Sequence, residues 1–201
     1  MAPDRPSPLP GPQVGAAHLE DLARHPDAAV RAAVAAHPNT PSGALRDLAA
    51  EFPGEVLGNP ALPLLRLARP GLIQSWPRET LLGLVRHPSA PAWLRAYALR
   101  HPHTEVQEAL AVHPEISNAD LRALARHPAW QVRARLAARP DLPLDVLEAL
   151  TVDSDYGVRV TIAARADLPV AAMGALRLDP LLDVRQVLAR AQRAARGPGQ
   201  K

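Results

Sequence analysis

The stretch "LARHPAWQVRARLAARP", residues 124–140, contains the pattern on which the architecture of this chain depends. It joins an Arg-His-Pro tripeptide to two apolar residues spaced four apart, Val132 and Leu136. This spacing predicts a short amphipathic helix that follows a proline-marked break. The same order of residues returns before and after the stretch, so the helix is predicted to be one copy of a repeated unit.

The repeat has a period of 26 residues. Matching segments begin at Pro12, Pro38, Pro88, Pro114, Pro140 and Ala166, and four of the five intervals between them are 26 residues long. Eighteen residues after each starting point comes a valine: Val30, Val56, Val106, Val132, Val158 and Val184. A sequence repeat of this length predicts a solenoid, in which each unit packs on its neighbours.

Each repeat is predicted to contain two short helices. In the Pro114 repeat, apolar residues at helical spacing mark a first helix at Leu121 and Leu124 and a second helix at Val132 and Leu136. Helices of no more than about three turns are marginal alone, so their stability must come from stacking. Only 3% of the residues are aromatic, and an apolar content of Ala, Leu and Val suits closely packed helices. The predicted fold is an all-α solenoid.

The repeat pattern is interrupted at residues 57–87. Pro38 and Pro88 are 50 residues apart, and the segment "ALPLLRLARPGLIQSW" is rich in Pro and Leu. We expect an irregular insert here, as though the first helix were repeated without its partner. The expected organisation is a disordered Pro-rich tail at residues 1–11, a single solenoid domain at residues 12–192 and a flexible tail at residues 193–201.

Six of the eight histidines precede a proline: His25, His37, His87, His101, His113 and His127. His127 occupies the same repeat position as Asp153, so this position is predicted to cap the N-terminus of the second helix, with Pro as the first helical residue. Equivalent residues of stacked repeats lie about 8–10 Å apart, too far to share one metal ion. We therefore interpret the histidines as structural and expect no metal site.

His37 and His113 occupy a different repeat position, at the end of the second helix. They share it with Arg139 and Arg165, residues whose charge suits a helix C-terminus.

Arginine recurs nineteen residues after the starting point of most repeats. The residues at this position are Arg31, Arg133, Arg159 and Arg185, with Gln107 and Leu57 as the exceptions. Two interpretations remain open for these arginines. They could form a structural ladder of salt bridges and hydrogen bonds to nearby acids such as Asp27, Asp155, Asp183 and Glu105, or a line of charge presented to an acidic partner.

A candidate binding site lies in the Pro114 repeat and the Pro140 repeat. Five arginines and no acid occur between Leu121 and Pro140. The predicted site consists of Arg126, Trp130, Arg133, Arg135, Tyr156 and Arg159, because exposed aromatic and Arg side chains dominate binding energy at interfaces. The alternative is that Trp130 and Tyr156 cover the apolar edge of neighbouring helices.

Composition excludes several classes of function. The chain has no cysteine, which excludes disulfides and thiolate metal sites, and it has no recognisable catalytic motif, so we expect neither an enzyme nor a cofactor. The net charge of +3 is modest, and Lys201 is the only lysine. No apolar segment reaches membrane-spanning length. The sequence predicts a soluble cytoplasmic protein without a membrane partner.

The stretch "HPDAAVRAAVAAHPNTP", residues 25–41, resembles the leucine-rich-repeat variant family. Repeats of that family have a Pro-rich start, then Leu-x-x-Leu-Ala, a polar residue and Val-Arg-x-x-Val-Ala. The resemblance implies a right-handed superhelix of alternating α and 3₁₀ helices, similar to HEAT repeats, and a general binding role. A founding member of the family also carries an iron–sulfur cluster held by cysteines, which this chain lacks.

The sequence leaves three functional hypotheses. The leading one is a non-enzymatic scaffold that binds a protein partner through one face of the solenoid, centred on the Pro88, Pro114 and Pro140 repeats. The second is a nucleic-acid-binding module in which arginines contact phosphates and Trp130 or Tyr156 stacks on a base. The third is an architectural segment of a larger complex.

Overall fold

The computed structural model describes residues 10–11 and 13–196, which form fourteen α-helices, one 3₁₀ turn and no strand. The all-α prediction is confirmed. The first helices of the repeats are α1 (Ala16–Leu22), α3 (Ser42–Leu48), α5 (Leu62–Ala68), α7 (Ala92–Leu99), α9 (Asn118–Leu124), α11 (Leu144–Thr151) and α13 (Val170–Arg177). The second helices are α2 (Ala28–Ala36), α4 (Pro53–Leu57), α6 (Arg78–Arg86), α8 (Thr104–Ala111), α10 (Trp130–Ala137), α12 (Tyr156–Ala163) and α14 (Leu182–Arg196).

The chain divides into two compact units between Leu94 and Arg95, a boundary that lies within α7. In the first unit, α2 packs on α4 and α4 packs on α6. In the second unit, α10 packs between α8 and α12, and α12 packs on α14. Successive second helices therefore stack in both units, as a helical repeat protein requires. The single domain expected at residues 12–192 stays a prediction.

The core of both units is built by the repeated valine. Each of the six valines at repeat position eighteen is at most 1% exposed. The first helices add buried leucines, among them Leu19, Leu45, Leu121 and Leu150. Because the helices are short, these few buried side chains supply the packing with the adjacent helices.

The segment 57–87 contains an additional, divergent repeat. The second helix α4 ends after five residues, and Asn59-Pro60 then takes the place that His37-Pro38 has in the preceding repeat. The helix α6 behaves as a second helix, because it packs on α4 and ends at His87 as α2 ends at His37. The expectation of a first helix without a partner was wrong. Repeats of 22 and 28 residues, divided at Pro60, fill the 50-residue interval.

The irregular part of this segment is confined to the connection between α5 and α6. The 3₁₀ turn Ile73–Ser75 lies there, and Trp76 is buried after it. The 26-residue period did not reveal the additional pair of helices, because one repeat is four residues shorter than the period and the next is two residues longer. A second reason is that Thr80, also buried, stands where the other repeats have valine.

The histidines before proline are turn residues, but their register differs from the predicted one. His127 accepts a hydrogen bond at Nδ1 from the backbone N–H of Ala129, two residues later, at 3.1 Å. The helix α10 begins only after Ala129, so Pro128 is not its first residue. The same bond is made by all six histidines of this kind, at 3.1–3.2 Å: His25, His37, His87, His101, His113 and His127.

Carboxylate and amide oxygens make the same turn where histidine is absent. Asp153, Asp179 and Asn59 accept the backbone N–H two residues later at 2.8–2.9 Å. The true N-cap follows this turn, and at α2 and α12 it is Asp27 and Asp155. The register differs because the side chain captures the next available N–H, and because proline disfavours helical geometry in the residue before it.

The last helix extends beyond the repeat. We expected a flexible tail from residue 193, but α14 continues to Arg196. The added turn is rich in Ala, Gln and Arg, which are strong helix formers. The side chain of Gln192 lies 2.9 Å from the sulfur of Met173 on α13, so this turn packs on the preceding helix. Residues 1–9, 12 and 197–201, which include most of both predicted tails, lie outside the described residues.

The repeat register predicts the effect of a charge at position eighteen. Val132→Asp should unfold the second unit, because an unpaired buried carboxylate costs several kcal/mol, comparable with the whole stability of a domain. Gln131→Asp is the matched control: residue 131 is exposed near the N-terminus of the same helix, where an acid is tolerated or stabilising. Helical circular dichroism during thermal denaturation measures both. A normal melt for Val132→Asp would contradict the register.

Candidate protein-binding surface

The guanidinium of Arg133 joins two successive turns. Its Nε and Nη2 donate to the carboxylate of Asp153 at 2.6 and 2.9 Å. Its Nη1 donates to the backbone carbonyl oxygens of His127 and Pro128 at 2.5 and 3.0 Å. One side chain therefore binds the turn that precedes its own helix and the equivalent turn of the next repeat.

Arg159 repeats this arrangement one unit further along. It donates to the carboxylate of Asp179 at 2.7 and 3.5 Å, and to the carbonyl oxygens of Asp153 and Ser154 at 2.8 and 3.2 Å. Arg31 makes the same bonds in the first unit, to Glu51 and to the carbonyl oxygens of His25 and Pro26. We call this series the arginine ladder. The arginine ladder decides the open alternative in favour of a structural role. Its carboxylates at Arg31, Arg133 and Arg159 are those of Glu51, Asp153 and Asp179, whereas the expected partners were Asp27, Asp155, Asp183 and Glu105.

In the second unit, one rung of the arginine ladder is missing. Gln107 occupies the arginine position in α8 and donates only to the carbonyl oxygen of Leu99, at 3.2 Å. The residue that would face an arginine there is His127, at the position of Asp153 and Asp179 in the following repeats. Gln107 replaces the arginine and His127 replaces the aspartate of the same rung. Neither an arginine nor a carboxylate is therefore left without its partner there.

The ionisation of the Asp179 carboxyl group contributes to the stability of the folded state. Burial raises the pKa of Asp179, but hydrogen bonds from Arg159 and from the backbone N–H of Leu181 outweigh it, so the net pKa lies below the ordinary 3.8. A carboxyl group with a lowered pKa stabilises the folded state fully above its unfolded pKa. That contribution is lost as the pH falls through the lowered value, so the Arg159–Asp179 pair weakens in acid and not at neutral pH.

A second set of side chains closes the other end of the second helices. Arg139 donates to the carbonyl oxygens of Ala111 and His113 at 3.0 and 2.8 Å. Asn59 does the same for Ala35 and His37, at 2.8 Å each. These groups belong to the C-terminus of the preceding second helix, so each side chain caps the helix of its neighbour. Arg165 continues the series by donating to Ala137 and Arg139.

Trp130 and Tyr156 are adjacent and exposed. Each is the first residue of its helix, and each retains almost half of its accessible surface, 47% and 45%. The indole of Trp130 lies beside Gly157, where an added Cβ would be 3.7 Å from the indole carbon Cζ3. The alternative that these aromatics cover neighbouring helices therefore holds for one ring face of Trp130, while the rest faces solvent.

A shallow groove continues from Trp130 along α10. Its floor is formed by Ala134 and Ala138, and Glu108 and Thr161 contribute from the two neighbouring second helices. It has a volume of about 360 Å³, and a second depression of about 440 Å³, which also includes Ala138, continues it toward Pro140. Arg135 lines both depressions, and its Nε is 3.7 Å from a Glu108 carboxylate oxygen.

The structure separates the six predicted site residues into two groups. Arg126, Trp130, Arg135 and Tyr156 are exposed, and together they form the candidate surface. Arg133 and Arg159 belong to the ladder instead, since their guanidinium groups are occupied by carboxylates and carbonyl oxygens. Arg133 is only 9% exposed. Their assignment as partner contacts is therefore corrected.

Two exposed residues escaped the sequence prediction. Val152 and Leu178 stand at the repeat position of Arg126, and their exposed fractions are 68% and 86%. The sequence does contain a sign of these exposed residues, because an apolar residue takes the position of Arg126, immediately before the turn residue, in two successive repeats. It was missed because apolar residues in a repeat were assigned to the core.

Metal-ligand groups and membrane-spanning helices can be assessed for the described ranges, 10–11 and 13–196. No group of three or more His, Asp or Glu side chains is placed there to hold a metal ion. No helix in those ranges has both the length and the apolar character needed to cross a membrane.

Comparison with protein families identifies the repeats. The sequence profile of the leucine rich repeat variant family matches residues 28–50, which contain α2 and α3, and residues 130–155, which contain α10 and α11. These two segments are similar to repeats of the leucine rich repeat variant family, and the predicted resemblance is confirmed. No curated protein and no solved structure matches the chain.

Substitutions at Gln107 and His127 can introduce the missing rung of the arginine ladder. Gln107→Arg together with His127→Asp should be more stable than the sum of the single variants by about 1 kcal/mol, because only the pair forms a bridged turn. His127→Asp alone keeps the acceptor for the N–H of Ala129. A double-mutant cycle by chemical denaturation measures the coupling. Strict additivity would show that the two introduced side chains do not meet as their repeat positions imply.

Burial distinguishes the Arg133–Asp153 pair from pairs at the surface. Arg133→Gln should lower the free energy of unfolding by about 3 kcal/mol, because it leaves the buried carboxylate of Asp153 without its cation. The control is Arg122→Gln, which breaks a bidentate pair with Asp145 that is half exposed, and should change stability little. Urea denaturation compares the two. Equal losses would contradict the structural role of the ladder.

Proposed function

We propose that the chain is a non-enzymatic repeat scaffold that binds a protein partner through the second-helix face around Trp130. The observation that carries the proposal is the exposed pair of Trp130 and Tyr156 on helices that the arginine ladder holds together. Large aromatic side chains have few rotatable bonds, so they bury much surface on binding at a small entropic cost. They are enriched among the residues that contribute most to interface energies.

The surroundings of the aromatic pair suit an interface. The groove along α10 offers an apolar floor of alanines, on which another chain can pack closely. Arg135 is exposed at its rim and holds Glu108 only at 3.7 Å, so its guanidinium can exchange this weak contact for a stronger one. An apolar centre with polar groups at the rim is the usual anatomy of protein interfaces.

The nucleic-acid alternative receives less support. Phosphate binding needs arginine or lysine side chains that are free to replace counterions. In this part of the chain, the guanidinium groups of Arg133, Arg139 and Arg159 are already bound to carboxylates and to backbone carbonyl oxygens. The family also favours an interaction scaffold, because repeat architectures provide extended surfaces for other proteins.

Trp130→Ala should leave the thermal melt nearly unchanged and weaken partner binding by about 2 kcal/mol or more. Tagged wild-type chain and variants would be compared for the proteins that they capture from the native cell, and the affinity for each purified candidate would then be measured by calorimetry. Leu144→Ala is the control, because Leu144 is an equally exposed apolar residue at the start of α11, a first helix of the same unit.

Two outcomes would reject the proposed function. One is recovery of the same proteins, with the same affinity, by wild type and Trp130→Ala. The other is retention of DNA at about 50 mM salt that is lost at about 200 mM salt and requires Trp130, which is the behaviour of a nucleic-acid-binding surface.

A further inference from the structure

The exposed apolar residues concentrate at one edge of the second unit. Eleven large apolar side chains are exposed among the described residues, and six of them lie at the turns between first and second helices. These six are Trp130, Val152, Tyr156, Leu178, Leu181 and Leu182. We call the surface formed by them the turn edge. Exposed apolar groups scattered singly need no explanation, whereas a contiguous patch marks a contact surface.

The arginine ladder places these residues in one row. Arg133 binds the turn at His127 to the turn at Asp153, and Arg159 binds the turn at Asp153 to the turn at Asp179. Val152 and Leu178 immediately precede two of these linked turns, and Tyr156 follows one of them. The turn edge is therefore held by buried ionic bonds, so it is a preformed surface rather than a set of loose loops.

Free positive charge lies at one end of the turn edge. Arg126 occupies the repeat position of Val152 and Leu178, and Arg100 occupies it one repeat earlier. Both are exposed, and neither side chain is bonded to a carboxylate within residues 10–11 and 13–196. Most other arginines of this unit are paired: Arg95, Arg122, Arg133, Arg135, Arg139, Arg159 and Arg165.

Most of the acids near the turn edge are already engaged. Asp153 and Asp179 are held by the ladder, and Asp155 caps α12 through the N–H groups of Gly157 and Val158. Asp183 is exposed near the start of α14, at the opposite end of the row from Arg126. The edge thus presents exposed cations, at Arg100 and Arg126 before the aliphatic row and at Arg177 beside Leu178, together with the exposed Asp183.

We infer that the turn edge binds a segment of a partner protein in which acidic residues are adjacent to large apolar residues. The acids would pair with Arg100 and Arg126, and the apolar side chains would cover Val152, Tyr156 and Leu178. This inference rests on the proposed function and names the chemistry of its partner. Complementary charge selects an acidic segment, and the apolar row supplies the buried area.

Other occupants fit the same surface less well. A second copy of the chain would have to neutralise two arginines on each molecule with Asp183 alone. An anionic lipid surface would attract Arg126 but repel Asp183, which lies beside Leu182. A segment with acidic and apolar residues can form ion pairs with the arginines and can also cover the aliphatic row.

A phage-displayed library of random peptides, each about 16 residues long, tests the inference, with the full chain as the immobilised target. Selection on the wild type should enrich peptides that carry Asp or Glu beside Leu, Phe or Trp. The enriched peptides would be synthesised, and their affinity measured by fluorescence anisotropy. Val152→Ser with Leu178→Ser should weaken binding about tenfold or more, and Arg126→Glu should weaken it by a similar factor.

The matched control is Val170→Ser, which removes an equally exposed valine at the opposite end of a first helix in the same unit. It should leave peptide binding unchanged. All substituted residues are exposed, and unchanged melting temperatures would verify that each variant is folded.

Several results would overturn the inference. Absence of enrichment, or enriched peptides that bind equally well to Val152→Ser with Leu178→Ser, removes the turn edge as a peptide site. Enriched peptides that are neutral or basic but still require Trp130 overturn the acidic chemistry and leave the proposed function standing. A wild-type dimer that Leu178→Ser dissociates, or binding to phosphatidylserine vesicles that Arg126→Glu abolishes, assigns the edge to a second copy or to a membrane surface.

Discussion

A single guanidinium that binds two successive turns is the interaction on which the second unit depends. Arg133 and Arg159 each bond to two carbonyl oxygens of one turn and to a carboxylate of the next. The helices around them contain only seven or eight residues, apart from α14. Helices of that length are not stable by themselves, and the apolar contact of each is small. A charge-assisted bond between repeats adds direction to packing that would otherwise be unspecific.

Short helices also explain the abundance of polar side chains in the turns. Each α-helix leaves four N–H groups and four carbonyl groups without helical partners, which is about half of the backbone polar groups in a helix of about eight residues. In this chain the side chains of His, Asp and Asn accept hydrogen bonds from N–H groups in the turns. Arg139, Arg165 and Asn59 donate to carbonyl oxygens at the C-termini of the second helices. The proline and histidine content therefore reflects the number of helix ends, not a reactive site.

The same ionic bonds shape the surface available for binding. They remove Arg133 and Arg159 from solvent, and they fix the turns that carry Trp130, Val152, Tyr156 and Leu178. A carboxylate of the next repeat within reach of an arginine decides whether the charge of that arginine is matched inside the chain. Arg126 has none among the described residues, and so the surface keeps charge at the point where its apolar row begins.

Sequence by itself determined the features that depend on spacing within one repeat. The period, the two helices, the buried valine and the structural role of the histidines all follow from residues no more than one 26-residue period apart, because burial of a helix face imposes a local pattern. The tertiary structure decided which arginines are occupied and which side chains stay exposed. The carboxylate that binds Arg133 is 20 residues away, and the carbonyl that Arg139 caps is 28 residues away. Such partners belong to neighbouring repeats, and only stacking brings them together.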